Sequence, residues 1–217
     1  MKSRVKKVVI VDYGIGNLLS ACRAFQHIGA SVDVSNEPQK ILDADRLVLP
    51  GVGAFADGMR NLWKFKLINP INEFVASHRP FLGICLGMQM MLSLSKEFGE
   101  NRGLDLISGQ VVSIPSTNVN GYSQKIPHIG WSSLVLSRGL ESWQGGLLQG
   151  VNPGEAVYFI HSFMAVPSNQ DNRIAECMYG GIPVSAVIGR DNMYGCQFHP
   201  EKSGQVGLKV LRRFLLL

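Results

Sequence analysis

The chain has 217 residues, 46% of them hydrophobic and 17% charged, and a formal net charge of +5. That length and apolar content can build one domain over 1–217 with a sizeable core, and so small a charged fraction argues against long disordered tails. Lys2, Arg4, Lys6 and Lys7 supply much of the positive charge; no basic stripe interleaved with aromatics accompanies them, which speaks against nucleic acid and leaves an acidic protein partner as an equally good reading.

In chain order, the β-branched run 8–11 predicts a buried first strand. Asp12 cuts that run too early for a secretory signal, and no small-residue cleavage site follows. No stretch nears the roughly 18 apolar residues of a membrane span, so no membrane association is expected. Asp12-Tyr13-Gly14-Ile15-Gly16-Asn17 reads as a turn, and Leu18, Cys22 and Phe25 have helical spacing over 18–28. Strands are expected at 31–35, 46–49 and 80–84, with helices at 57–62, 68–77 and 86–94. Strands alternating with helices mean parallel βαβ units. The second half changes character: 110–114, 131–136, 156–161, 173–179, 184–188 and 193–198 look like strands joined by turns, several of them antiparallel, and 205–217 reads as a closing helix. The expected architecture is a three-layer α/β sandwich whose mostly parallel central sheet is extended by antiparallel strands.

Cys85 stands in Phe81-Leu82-Gly83-Ile84-Cys85-Leu86-Gly87-Met88-Gln89, where a strand turns sharply into a helix. A thiol is a good nucleophile only as thiolate, which a helix N-terminus stabilises. The flanking glycines permit the tight turn, the logic of a nucleophile elbow. A buried structural cysteine is the competing reading. Cys22, Cys177 and Cys196 lack the glycine frame and read as packing. With no CxxC pair, the four cysteines suggest neither a zinc site nor a disulfide framework, and a reducing cytoplasm is the expected location.

Far downstream, Gln197-Phe198-His199-Pro200-Glu201 places a base and a carboxylate two residues apart, facing the same way if extended. His199 can take the thiol proton and return it to a leaving amine; Glu201 would hold the imidazole tautomer. Acyl chemistry also needs oxyanion donors. The amide of Leu86, following the nucleophile, is one candidate, and the glycine-rich Pro50-Gly51-Val52-Gly53 turn offers another. Gly14-Ile15-Gly16 fails as a dinucleotide fingerprint because Leu19 occupies the third position. No HExxH or other metal spacing appears. His27, His78, His128 and His161 read by default as satisfied or exposed, and no metal or cofactor is expected.

The elbow, together with His199-Pro200-Glu201, resembles class I glutamine amidotransferases of the triad type. Asp12-Tyr13-Gly14-Ile15-Gly16-Asn17, Leu49-Pro50-Gly51-Val52-Gly53-Ala54-Phe55, Pro127-His128-Ile129-Gly130-Trp131 and His199-Pro200-Glu201-Lys202-Ser203 narrow the resemblance to the glutaminase subunits of imidazole glycerol phosphate synthases. It covers nearly the whole chain. It implies attack of Cys85 on the glutamine side-chain amide, a γ-glutamyl thioester, and release of ammonia to a (β/α)8-barrel synthase subunit in a heterodimer. It also implies a glutamine pocket at Gly53, Gln89 and the backbone of Ser162 and Phe163. Oxyanion amides would be Leu86 and Val52, the latter on the glycine loop, whose peptide reorients between two states. Partner contacts would be Asn17, Trp131, Tyr158 and Lys202. Two positions depart from the family pattern: Ser132 replaces an Asn, and Phe163 replaces a Tyr. Paralogues of this subunit feed ammonia to sugar amidation in surface-polysaccharide pathways, and that branch stays open, as do a triad-bearing scaffold without turnover and a cysteine hydrolase of other specificity. Gln89 and the 50–53 loop favour glutamine.

Overall fold

The computed structural model describes residues 6–217, so Lys2 and Arg4 of the basic start lie outside the described residues. The first half alternates as expected: β1 (Lys7–Val11), α1 (Leu18–His27), β2 (Ser31–Ser35), α2 (Pro38–Leu42), β3 (Arg46–Gly51), α3 (Phe55–Lys64), α4 (Ile68–Ala76), β4 (Phe81–Cys85) and α5 (Leu86–Met90). There follow β5 (Leu92–Ser95), β6 (Asn101–Arg102), β7 (Ile107–Ser113), β8 (His128–Ser133), β9 (Val135–Leu136), β10 (Ala156–His161), β11 (Phe163–Pro167), β12 (Arg173–Tyr179), β13 (Ile182–Arg190) and β14 (Met193–Cys196). A 3-10 turn at Pro200–Lys202 leads into α6 (Gly204–Leu216).

Among the described residues an eight-stranded sheet has the order β2-β1-β3-β4-β14-β13-β12-β9. Its first five strands pair in parallel and the rest antiparallel. Alternation along β1 explains the layers, because successive side chains point to opposite faces. Val8 and Ile10 join one core with Phe25 of α1 and Phe214 of α6, whose rings meet edge-on at 6.1 Å. Val9 and Val11 join the other with Phe55, Leu62 and Phe74 from α3 and α4.

Two expectations need correction. The helix at 86–94 ends after Met90. The Met90 and Met91 carbonyls accept hydrogen bonds from the amides of Leu104 (2.8 Å) and Leu106 (2.9 Å). These tertiary partners take the carbonyls that a longer helix would have used internally, and 92–95 becomes a strand. Nor do all later strands extend the central sheet: β10-β8 and β11-β7-β5-β6 form two small sheets of their own. Sequence pattern also passed over α2, β6 and β11, each five residues or fewer, too short to show a period.

The β4–α5 junction packs directly on β3. A Cβ at Gly87 would collide with the Leu49 carbonyl oxygen, and one at Gly83 would lie 2.8 Å from the Gly87 backbone. Both contacts are with backbone, which cannot move aside cheaply. Gly87→Ala is therefore expected to destabilise the fold by roughly 2 kcal/mol or more, the cost of overpacking a close-packed core, measured as a drop in denaturation midpoint.

Candidate active site

Three neighbouring parallel strands deliver the candidate residues to one edge of the sheet. Gly51 at the end of β3 pairs with Cys85 at the end of β4, and Ile84 pairs with Cys196 at the end of β14. The chain leaving β3 supplies Val52 and Gly53; the chain leaving β14 supplies Gln197 and His199. Crevices outside the carboxyl ends of parallel strands are where open α/β sheets place ligands.

Cys85 has φ +54° and ψ −109°, a conformation costing a non-glycine residue about 1–3 kcal/mol. The close packing around Gly83 and Gly87 holds it there. Beneath the loop, the buried Tyr13 hydroxyl donates to the Pro50 carbonyl at 2.8 Å. Nothing in the spacing of the Asp12–Asn17 turn signals this support from Tyr13. Because α5 spans five residues, little macrodipole stands behind the thiol. What remains are first-turn amides with no helical partner, that of Leu86 first among them.

His199 and Glu201 are buried together, their side chains 3% and 4% exposed, with His199 Nδ1 2.8 Å from Glu201 Oε1. The backbone fixes the pair. The His199 amide donates to the Tyr158 carbonyl (3.0 Å), while the Ser203 hydroxyl donates to the His199 carbonyl (2.7 Å) and accepts from the Tyr158 amide (3.0 Å). His199 Nε2 has no hydrogen-bond partner of normal geometry among the described residues. Burial works against charge on the ring. The nearby Cys85 sulfur and the Glu201 carboxylate outweigh it and raise its pKa to about 10.

The other cysteines are not equivalent. Burial raises Cys177 to about 12, and raises Cys22 and, well above the ordinary value, the fully buried Cys196. None of the three lines the cavity that Cys85 and His199 share. This cavity, of about 430 Å³, is also lined by Val52, Gly53, Leu86, Gln89, Ser162, Phe163 and Lys202. The structure therefore gathers every candidate pocket residue, with Glu201 behind the imidazole. Asn17, Trp131 and Tyr158 lie outside the cavity. Asn17 is exposed and caps α1 through the Ser20 amide (3.4 Å). Trp131 and Tyr158 are a cross-strand pair on β8 and β10 with rings 6.1 Å apart.

Several site residues escaped sequence reading. Glu97 lines the cavity, and its Oε2 accepts the Phe55 amide at 2.7 Å; burial raises its pKa. It arrives on the turn after β5, with no signal in spacing. Gln197 lies inside the quoted Gln-Phe-His-Pro-Glu run, yet only its neighbours were singled out. His128 and His161 are buried and satisfied, as expected by default. His161 Nδ1–H donates to the Phe163 carbonyl (2.8 Å), its Nε2 faces His128 Nδ1 (3.1 Å), and His128 Nε2 meets the Ser132 hydroxyl (2.9 Å). Burial lowers both rings to about 4, so they are neutral at physiological pH. Ser132 thus keeps a hydrogen bond, and Phe163 packs edge-on against Phe98 at 6.2 Å.

The family described as glutamine amidotransferase class-I matches residues 9–217. Imidazole glycerol phosphate synthase subunit HisH 1 of Legionella pneumophila (strain Paris) is 57% identical over 97% of this chain and 99% of its own length. Subunit HisH of Syntrophotalea carbinolica is 44% identical over 95% and 98%. The structure of PurLQS from Thermotoga maritima superposes with a TM-score of 0.73 at 19% identity, covering 98% of this chain and 99% of that one, a likeness of fold.

A folded-state pKa of about 10 against the ordinary 6.5 fixes the sign of a pH effect. Protonated His199 contributes its stability fully below pH 6.5, and that contribution is lost as pH rises towards 10. In Cys85→Ala the His199 midpoint, followed by imidazole NMR, is expected to move down. Stability should then fall less between those pH values than in the unmodified chain.

Proposed function

The chain belongs to the glutamine amidotransferase class-I family, and from that premise we propose that it is the glutaminase subunit of an imidazole glycerol phosphate synthase, serving histidine biosynthesis through the triad Cys85, His199 and Glu201. The observation that carries the reading is the strained Cys85 turn opening into the same cavity as a buried imidazole–carboxylate pair. The names of the relatives favour the histidine branch over the surface-polysaccharide branch. A biosynthetic role and four free cysteines fit the expected cytoplasmic location, and no helix among the described residues is long and apolar enough to cross a membrane.

In this mechanism the Cys85 sulfur attacks the side-chain amide carbon of glutamine. The developing oxyanion is met by the amides of Leu86 and Val52. His199, protonated at neutral pH, gives its Nε2 proton to the leaving ammonia, while Glu201 holds Nδ1–H and stabilises the imidazolium. The neutral ring then takes a proton from water, which opens the γ-glutamyl thioester and releases glutamate. Gln89 has both amide hydrogens engaged, with the Phe163 carbonyl (3.1 Å) and Gln197 Oε1 (3.0 Å). Its own Oε1 is left to accept from the substrate, and the Glu97 carboxylate offers a counter-charge for the α-ammonium.

The ammonia goes to a (β/α)8-barrel partner, in our reading through a heterodimer. Ile129, Trp131 and Ile160 are 49%, 58% and 41% exposed and, with Tyr158, form one apolar face on the antiparallel β8–β10 pair, the kind of patch that marks a protein contact. Exposed Asn17 and Lys202 complete the proposed interface. The Tyr158 backbone both borders this face and holds His199, so partner docking bears on the triad directly. Gly53, with φ +93° and open space around its Cα, lets the Val52 peptide turn between two orientations that a partner biases.

Cys85→Ala is expected to lower glutamate release from glutamine by roughly 10³-fold or more with an unchanged circular dichroism spectrum; full turnover by that variant would refute the triad. The chain alone should be slow and the barrel partner should accelerate it, and Trp131→Ala should weaken the complex in a titration. A partner that leaves the rate unchanged contradicts the coupling. A polysaccharide cluster around the gene, in place of histidine genes, would overturn the pathway.

A further inference from the structure

Gln197 is buried without exposed surface, and its side chain points at the thiol: Nε2 lies 3.6 Å from Cys85 Sγ. The orientation of its amide is fixed by its neighbours. Gln197 Oε1 accepts from Gln89 Nε2 at 3.0 Å, so the NH₂ end must face the sulfur. Gln89 is itself fixed, since its Nε2 also donates to the Phe163 carbonyl. That carbonyl takes a second bond from His161, which is backed by His128 and Ser132. A run of buried, mutually satisfied groups thus ends with an N–H aimed at sulfur.

The same sulfur faces the Ile160 carbonyl at 4.0 Å, an acceptor that suits only the protonated thiol. The titratable groups around it are His199 with Glu201 behind it, Tyr13 and Cys196, with Glu97, His161 and Lys202 lining the same cavity. Burial holds Tyr13 and Cys196 in their neutral forms, so neither sets a negative charge against the sulfur. Beside the first-turn amide of Leu86, the side chains of His199 and Gln197 favour an anionic sulfur, and His199 gives up its proton during turnover. Gln197 is the donor that does not change state.

We infer that Gln197 is a further catalytic residue, a permanent hydrogen-bond donor that orients the Cys85 sulfur and stabilises its negative charge, with Gln89 as the positioning residue that keeps the amide turned the right way. The inference rests on Cys85 being the nucleophile. It gives Gln89 a role apart from substrate contact. It also explains why a polar side chain occupies a fully buried position beside the core: an amide left unpaired there is costly, and paired on both ends it is not.

The test is the pH dependence of Cys85 alkylation by iodoacetamide in the full chain, with the modified residue assigned by mass spectrometry. Gln197→Met keeps the length and apolar stem while removing the donor. Its alkylation midpoint should move up by about one pH unit, and kcat/KM for glutamine should fall roughly tenfold through kcat, as expected for one lost bond to a charged atom. Gln89→Met should shift the midpoint the same way by less, and it carries the test if Gln197→Met does not fold. An unaltered midpoint in a folded Gln197→Met protein overturns the inference, and so does a loss confined to KM. If iodoacetamide leaves Cys85 of the unmodified chain untouched, or Cys85→Ala retains turnover, the nucleophile assignment itself has failed.

Discussion

The parallel pairing of β4 with β14 is the constraint on which the site depends. β14 follows β4 by more than a hundred residues, yet it lies in register beside it, Met193 opposite Phe81 and Cys196 opposite Ile84. Only a parallel pairing sends both chains off the sheet at the same edge. An antiparallel β14 would carry His199 to the far side. The glycine frame of β4 and α5 is the local half of the same constraint. It allows the helix to start tight against β3, so that the thiol and the loop after β3 share one cavity.

The electrostatics follow from that packing. Burial alone would discharge the imidazole, as it does at His128 and His161. His199 escapes this because a carboxylate and a sulfur sit on either side of it, a charge held in a low-dielectric site by its partners. Two buried histidines are kept neutral and one is kept charged, a difference set by environment and not by residue type.

The apolar face of β8–β10 connects this centre to the surface. Tyr158 is part of that face through its ring and part of the site through its backbone, which takes the His199 amide and gives its own to Ser203. The strand that carries Tyr158 is thus bonded to the turn that carries His199. Val52 and Gly53, exposed on the chain leaving β3, line the same cavity.

Local chemistry made much of this legible in the sequence. The strand–glycine–cysteine–glycine pattern gave the elbow, His-Pro-Glu gave the pair that meets it, and β-branched runs alternating with helical spacing gave the parallel half of the sheet. These are properties of a few consecutive residues, and a few consecutive residues suffice to specify them. The tertiary structure alone decided the rest. It stopped α5 at Met90, because carbonyls found partners at Leu104 and Leu106 from outside the helix. It brought Glu97 to the cavity on a turn without any signature, and folded β7, β8, β10 and β11 into sheets of their own. It also turned Gln197 toward the sulfur through Gln89, a direction set by hydrogen bonds between segments some hundred residues apart, which no short window of sequence contains.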